Sequence, residues 1–131
     1  MIWLLDTNVL IHAQRGRPEA VRRRLRAVSP DDVVISTITV AELWYGIARS
    51  DDPDRKRESW ARFLAAFDVR AFDRAAAELH GGLRFALRHQ PIGERDLLIA
   101  AIALANDLAV VTANTGEFRR VPGLHVEDWG E

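Results

Sequence analysis

Apolar residues are arranged along this chain in two ways, as short unbroken runs and as stripes at helical spacing, and the two alternate. Ile2 to Leu5 is a continuous apolar run that stops abruptly at Asp6-Thr7-Asn8, the pattern of a central strand covered on both faces. Asp6 therefore falls at a strand's carboxyl end. A helix follows at once through Val9, Leu10 and Ile11. An arginine-rich helix then begins near Pro18, a residue suited to a first turn, and carries Val21, Leu25 and Val28 on one side. Val33-Val34-Ile35 reads as the next strand, and Ser36 is placed to cap a helix from Thr37 to about Ser50. Glu42 lies about two turns inside that helix.

The second half repeats the alternation. Asp51-Asp52-Pro53-Asp54 is a turn and helix start, after which Trp60, Phe63, Leu64 and Phe67 recur at helical spacing. Val69 to Phe72 fits a short strand. Asp73 caps a helix carrying Ala76, Leu79, Leu83, Phe85 and Leu87, and Pro91-Ile92-Gly93 breaks the chain. From Glu94 to Asn106 runs a helix apolar on nearly every side, which predicts burial. Strands are expected at Leu108 to Val111 and near Leu124 to Val126. Alternating strands and helices predict an α/β sandwich with a mostly parallel sheet.

Composition narrows the chemistry. The 131 residues suit one domain spanning 1–131, 48% of them are apolar and 28% charged, so a true core is expected. Cysteine is absent, which excludes disulfides, thiolate metal sites and cysteine nucleophiles and fits a reducing cytoplasm. The N-terminus lacks the form of a signal peptide, and the longest apolar run, Leu97 to Ala105, is far below the roughly 20 residues that cross a bilayer. Net charge is −1, so bulk electrostatics gives no argument for nucleic acid. Arginine is nonetheless clustered, in Arg15 to Arg26, around Arg55-Lys56-Arg57 and at Arg119-Arg120. Such runs are commonly solvated helix faces, although arginine's planar fork also suits phosphate. The histidines His12, His80, His89 and His125 are scattered and suggest no catalytic group.

Open parallel sheets bind ligands beyond the carboxyl ends of their strands. Asp6 is at one such end, and Thr112-Ala113-Asn114-Thr115-Gly116-Glu117 follows another. Asp96 stands in the first turn of the buried helix. Singly, each acid has an ordinary explanation: an Asx turn for Asp6, a favourable helix-terminal charge for Asp96, an exposed helical position for Glu42. Together those explanations weaken, because Glu42 lies among Val40, Ala41, Leu43 and Trp44, where a carboxylate needs a positive partner. A divalent cation would supply one, and oxygen-only ligands favour Mg²⁺, or Mn²⁺ as substitute, over zinc. Clustered acids of this kind serve phosphoryl chemistry.

Leu4-Leu5-Asp6-Thr7-Asn8-Val9-Leu10-Ile11, Ala41-Glu42-Leu43 with Gly46, Pro91-Ile92-Gly93 followed by Asp96-Leu97-Leu98-Ile99-Ala100-Ala101, Val111-Thr112-Ala113-Asn114 with Glu117-Phe118, and the ending Val121-Pro122-Gly123-Leu124 to Glu127-Asp128-Trp129 resemble a PIN-domain ribonuclease. The resemblance is closest to the VapC-type toxins of toxin-antitoxin pairs and runs through essentially the whole chain. It implies a three-layer α/β/α sandwich and an endoribonuclease that uses metal-activated water to leave a 5′-phosphate and a 3′-hydroxyl. It also implies that Asp6 and Asp96 are the principal Mg²⁺ ligands, with Glu42 a third acid and Thr7 and Asn8 bracing the Asp6 turn. The fourth acidic position falls in Thr112 to Glu117, where Asn114 stands in place of the aspartate many PIN domains carry. Unless Glu117 substitutes, the resemblance implies one tightly held Mg²⁺ with a second recruited by RNA. A homodimer and a small VapB-type antitoxin are further implications, and the helices bearing Leu43, Trp44, Tyr45 and Ile47, and Trp60 and Phe63, offer apolar surface for these contacts or for the core. Two other readings use the same residues: a metal-dependent phosphatase or DNA nuclease, and a catalytically inactive PIN scaffold.

Overall fold

The computed structural model describes residues 1–130. Its strands are β1 (Trp3–Leu5), β2 (Val33–Ser36), β3 (Asp68–Arg70), β4 (Ala109–Val111) and β5 (Val126–Glu127). Its helices are α1 (Thr7–Arg15), α2 (Glu19–Ala27), α3 (Thr37–Ala48), α4 (Pro53–Leu64), α5 (Arg74–Ala86), α6 (Glu94–Ala105) and the single turn α7 (Thr115–Phe118). The strands form one sheet in the order β3-β2-β1-β4-β5, and every pairing is parallel, where the sequence predicted a mostly parallel sheet. Parallel neighbours need crossover connections, so helices cover both faces.

The period-two alternation of strand side chains divides the core. Leu4, Val34 and Val110 face one cluster with Leu97, Ile99 and Ile102 of α6, while Leu5, Val33, Ile35 and Val111 face another with Val9, Leu10 and Leu43. Ala100, Ala101 and Ala103 are fully buried and let α6 lie close to its neighbours. Trp60, Phe63, Leu64 and Phe67 pack against the second cluster, so the aromatic stripe is core, with Phe67 just past the end of α4.

Several element boundaries differ from expectation. The third strand is Asp68–Arg70 rather than Val69 to Phe72: it pairs only with β2, and Phe72 leaves it because its N–H donates to Thr37 Oγ1 at 3.2 Å. The last strand is Val126–Glu127, displaced by a turn in which Gly123 has φ 79°, a left-handed conformation suited to glycine. Helix α3 ends at Ala48, short of Ser50. Leu83 of α5 and Leu87 just past its end pack inward, whereas Leu79 and Phe85 are exposed.

One polar hub ties the chain's end to its beginning. Glu127 accepts from the indoles of Trp3 (3.0 Å) and Trp129 (3.1 Å) and from Arg24 (3.0 Å), and His125 Nε2 lies 2.9 Å away. Arg24 also stacks over the Trp129 ring, whose edge meets Trp3. Burial pulls the Glu127 carboxyl upward, but the Trp3, Trp129 and His125 contacts outweigh it and hold it below its usual value of 4.5. A depressed folded-state pKa contributes stability that is present above 4.5 and lost as pH falls through the folded value. Glu127→Gln should therefore cost about 1–3 kcal/mol at pH 7 by urea unfolding. It should also flatten the loss of stability on acidification below pH 5 relative to the parent chain.

Candidate active site

Because all strands point the same way, β1, β2 and β4 deliver their carboxyl ends to one edge of the sheet. Asp6 ends β1 and caps α1: its Oδ1 accepts from the backbone N–H of Asn8 (2.9 Å) and Val9 (3.2 Å), and its Oδ2 accepts from the Thr112 hydroxyl, which follows β4. Its own N–H donates to Val111 O at 3.0 Å. Asp6 is only 8% exposed, and burial raises its pKa despite these donors, with the Glu42 charge adding to the rise.

Glu42 enters from the next strand over. Ser36 caps α3 through the Thr39 N–H at 3.1 Å, and Glu42 follows in the second turn. Thr7 Oγ1 donates to Glu42 Oε1 at 2.8 Å and sits 3.0 Å from Thr39 Oγ1. Arg95 Nη1 donates to Glu42 Oε2 at 3.0 Å. The positive partner that the apolar surroundings of Glu42 required is therefore supplied within the chain, a point the sequence reading missed by invoking only a metal. The available signal was local: Arg95 stands in the first turn of α6, where the helix dipole disfavours a cation.

Asp96 is the adjacent residue in that turn. Asn114 Nδ2 bridges it to Glu117, at 3.0 Å from Asp96 Oδ2 and 2.7 Å from Glu117 Oε2, while Glu117 Oε1 accepts from the Gly93 N–H at 3.3 Å. Asn114 is fixed in turn by its own N–H, which donates to Thr112 Oγ1 at 2.9 Å. Thr112 thus joins Asp6 to the Asn114 corner. A side-chain amide at this position offers N–H groups to two acids, where an aspartate would add a further negative charge. Burial, then the hydrogen bond with Glu117 and the Glu117 and Asp6 charges, push Asp96 up to about 7, against the Asn114 hydrogen bond. Glu117 is held below its usual value by its hydrogen bonds to Asp96 and Asn114, so the two carboxyls titrate as a coupled pair.

Asp6, Glu42 and Asp96 line one pit of about 70 Å³ together with Thr7, Asn8 and Ile99. Thr112, Asn114 and Glu117 do not line it and reach its acids only through hydrogen bonds, Thr112 to Asp6 and Asn114 to Asp96 and Glu117. Among the described residues no three acidic or histidine side chains form a ready-made cage for a metal ion. The donor set still fits a hard cation, being oxygen only, and a cation there would offset the burial that raises the Asp6 and Asp96 carboxyls and the smaller repulsion from neighbouring acids. Thr7, Asn8 and Glu42 also border a groove of about 680 Å³ between α1, α3 and α4, whose charged lining is Arg15, Arg49, Lys56 and Arg95 against the single acid Glu42.

The PIN-domain profile matches residues 3–124. The chain belongs to the PIN-domain family. Within that family it is 39% identical, over 97% of each chain, to the tRNA(fMet)-specific endonuclease VapC of Shigella flexneri. Solved structures share the fold, two of them with near-complete coverage. One is DNA-bound VapBC from Salmonella typhimurium (TM-score 0.90, 36% identity, 98% of each chain), the other VapBC-1 from nontypeable Haemophilus influenzae (TM-score 0.91, 31% identity, 100% of each chain). The α/β/α architecture and the VapC resemblance expected from the sequence are those of this PIN domain and its relatives.

An acid whose folded pKa is raised keeps in the native state a proton that the unfolded chain releases, so its contribution to stability is present at low pH and lost as pH rises through the folded value. Chelator-treated protein should consequently melt at a lower temperature at pH 8 than at pH 5.5, since Asp96 titrates near 7. Differential scanning calorimetry of Asp96→Asn should show a flatter profile across that window; an unchanged slope would place the excess charge elsewhere.

Proposed function

We propose that this PIN domain is a Mg²⁺-dependent endoribonuclease and the toxin of a type II toxin-antitoxin pair. The observation that carries the reading is the pit shared by Asp6, Glu42 and Asp96, opening onto a groove with a basic lining, in a chain alike along its whole length to named VapC nucleases. A small phosphomonoester would need only the pit. A groove of this volume with Arg15, Arg49, Lys56 and Arg95 along it favours a polyanion.

Asp6 and Asp96 would hold the cation, with Glu42 contributing directly or through water, and Mn²⁺ would substitute for Mg²⁺. A cation held there would supply charge neutralisation at the scissile phosphate and a lowered pKa for the attacking water, chemistry that would leave a 5′-phosphate and a 3′-hydroxyl. The chain's own groups do the positioning. The Asn8 and Val9 N–H groups and the Thr112 hydroxyl fix the Asp6 carboxylate, Thr7 fixes Glu42, and Asn114 fixes Asp96 against Glu117. Burial by Ile99 and the α6 terminus keeps the pit small, which strengthens electrostatic interactions inside it.

Related chains are described in complexes named VapBC, and a VapB-type antitoxin is the partner proposed here. A homodimer is the second, for which exposed Leu79 and Phe85 on α5 supply apolar surface. No described helix is long and apolar enough to cross a membrane, and a cytoplasmic site of action follows from an RNA substrate.

Induced expression of the chain in a bacterial host should arrest growth and inhibit translation, with new RNA 5′ ends appearing, whereas Asp6→Asn and Asp96→Asn should do neither. In vitro cleavage should fall at least about 100-fold in both variants, beyond the 10–100-fold typical of groups that merely support a metal ligand. Chelation should abolish it and Mn²⁺ restore it. Equal toxicity of the parent chain and Asp96→Asn, or cleavage that survives chelation, would sink the reading.

A further inference from the structure

Arg95 stands where local physics disfavours it. It occupies the first turn of α6, whose dipole repels a cation, and its side chain is 70% exposed. Among the described residues its one hydrogen bond is to Glu42 Oε2 at 3.0 Å. An ion pair with one partner this exposed contributes little net stability, so stability alone does not account for it. The guanidinium also lines both the 680 Å³ groove and a second cavity of about 400 Å³ with Glu42, Gly93, Glu94 and Asp96. It is thus the basic group of the groove nearest the acids, at the point where a strand lying in the groove would bring a phosphate to the pit.

We propose that Arg95 is a shared cation of the site, paired with Glu42 in the protein alone and transferred to an RNA phosphate when a single strand enters the groove, which frees Glu42 Oε2 to face the pit. The inference rests on the ribonuclease reading above. Glu42 stays in place during the exchange, because Thr7 holds its other oxygen at 2.8 Å. The phosphate is the better partner for a guanidinium, offering charge and a matching pair of oxygens without the desolvation of a half-buried carboxylate. Substrate binding and completion of the acid cluster are thereby coupled: RNA draws off the cation that competes with the metal for Glu42.

Two measurements on the full-length chain and its Arg95→Gln, Arg95→Lys and Arg49→Gln variants test this. The first is the affinity of a labelled single-stranded RNA oligonucleotide, measured in EDTA by fluorescence anisotropy as a function of salt. Arg95→Gln should bind several-fold more weakly with its salt slope reduced by about 0.7, the value for one lost phosphate contact on a single strand. Arg95→Lys should keep the slope. The second is calorimetric titration of Mn²⁺ into RNA-free protein, where Arg95→Gln should bind roughly twofold to fivefold more tightly, the scale of one partly exposed ion pair. Arg49→Gln, which removes a groove charge just past the end of α3, should weaken RNA and leave Mn²⁺ affinity unchanged. RNA affinity in Arg95→Gln equal to the parent's, unchanged Mn²⁺ affinity, or an equal Mn²⁺ gain in Arg49→Gln would each overturn the proposal. Failure of the parent chain to cut RNA with Mn²⁺ would instead strike the ribonuclease reading, and the Mn²⁺ titration would still decide whether Arg95 competes for Glu42.

Discussion

A carboxylate held almost out of water at the end of the central strand is the constraint around which this molecule is arranged. Asp6 cannot be moved outward, since its backbone is locked between β1 and β4 and its side chain caps α1. Its charge must therefore be managed where it stands. Two backbone N–H groups and the Thr112 hydroxyl do part of that work, yet burial still outweighs them. The remaining imbalance shapes what surrounds Asp6, from the raised Asp96 to the amide at Asn114.

Seen this way, the site is a graded distribution of charge rather than a set of equivalent acids. Asp6 is buried, Asp96 is linked to Glu117 through Asn114 and titrates together with it, and Glu42 is paired with Arg95. The grading matters for chemistry, because three unscreened carboxylates around one small pit would repel each other and loosen the geometry that phosphoryl transfer needs. Asn114 contributes by donating to two acids at once, so the position where an aspartate was expected acts as a cross-link.

The sheet and its distal hub serve the same end. The parallel register places Leu5 beside Val111 and so sets Asp6 next to Thr112. Glu127, gathering donors from β1, α2 and Trp129, holds β5 and Trp129 against that register from the far edge. Stability of the sheet and precision of the acids are thus linked through backbone pairing.

Local pattern alone determined the element order, the caps at Ser36 and Asp73, the burial of α6 and the strand-end position of Asp6, because run length, periodicity and capping chemistry are properties of neighbours in the chain. It also singled out Asp6, Glu42 and Asp96, through acids set against apolar surroundings. Tertiary structure decided what those residues touch. Glu42 and Arg95, Thr112 and Asp6, and Trp3 and Glu127 are each remote in sequence, and no periodicity relates them. The edge strands shifted for the same reason: a short strand takes its limits from the partner it pairs with, so Asp68–Arg70 and Val126–Glu127 were set by β2 and β4 rather than by their own residues. Which groups are charged can be read from the chain, but which of those charges compensate one another was settled only when the parallel sheet brought three strand ends to one edge.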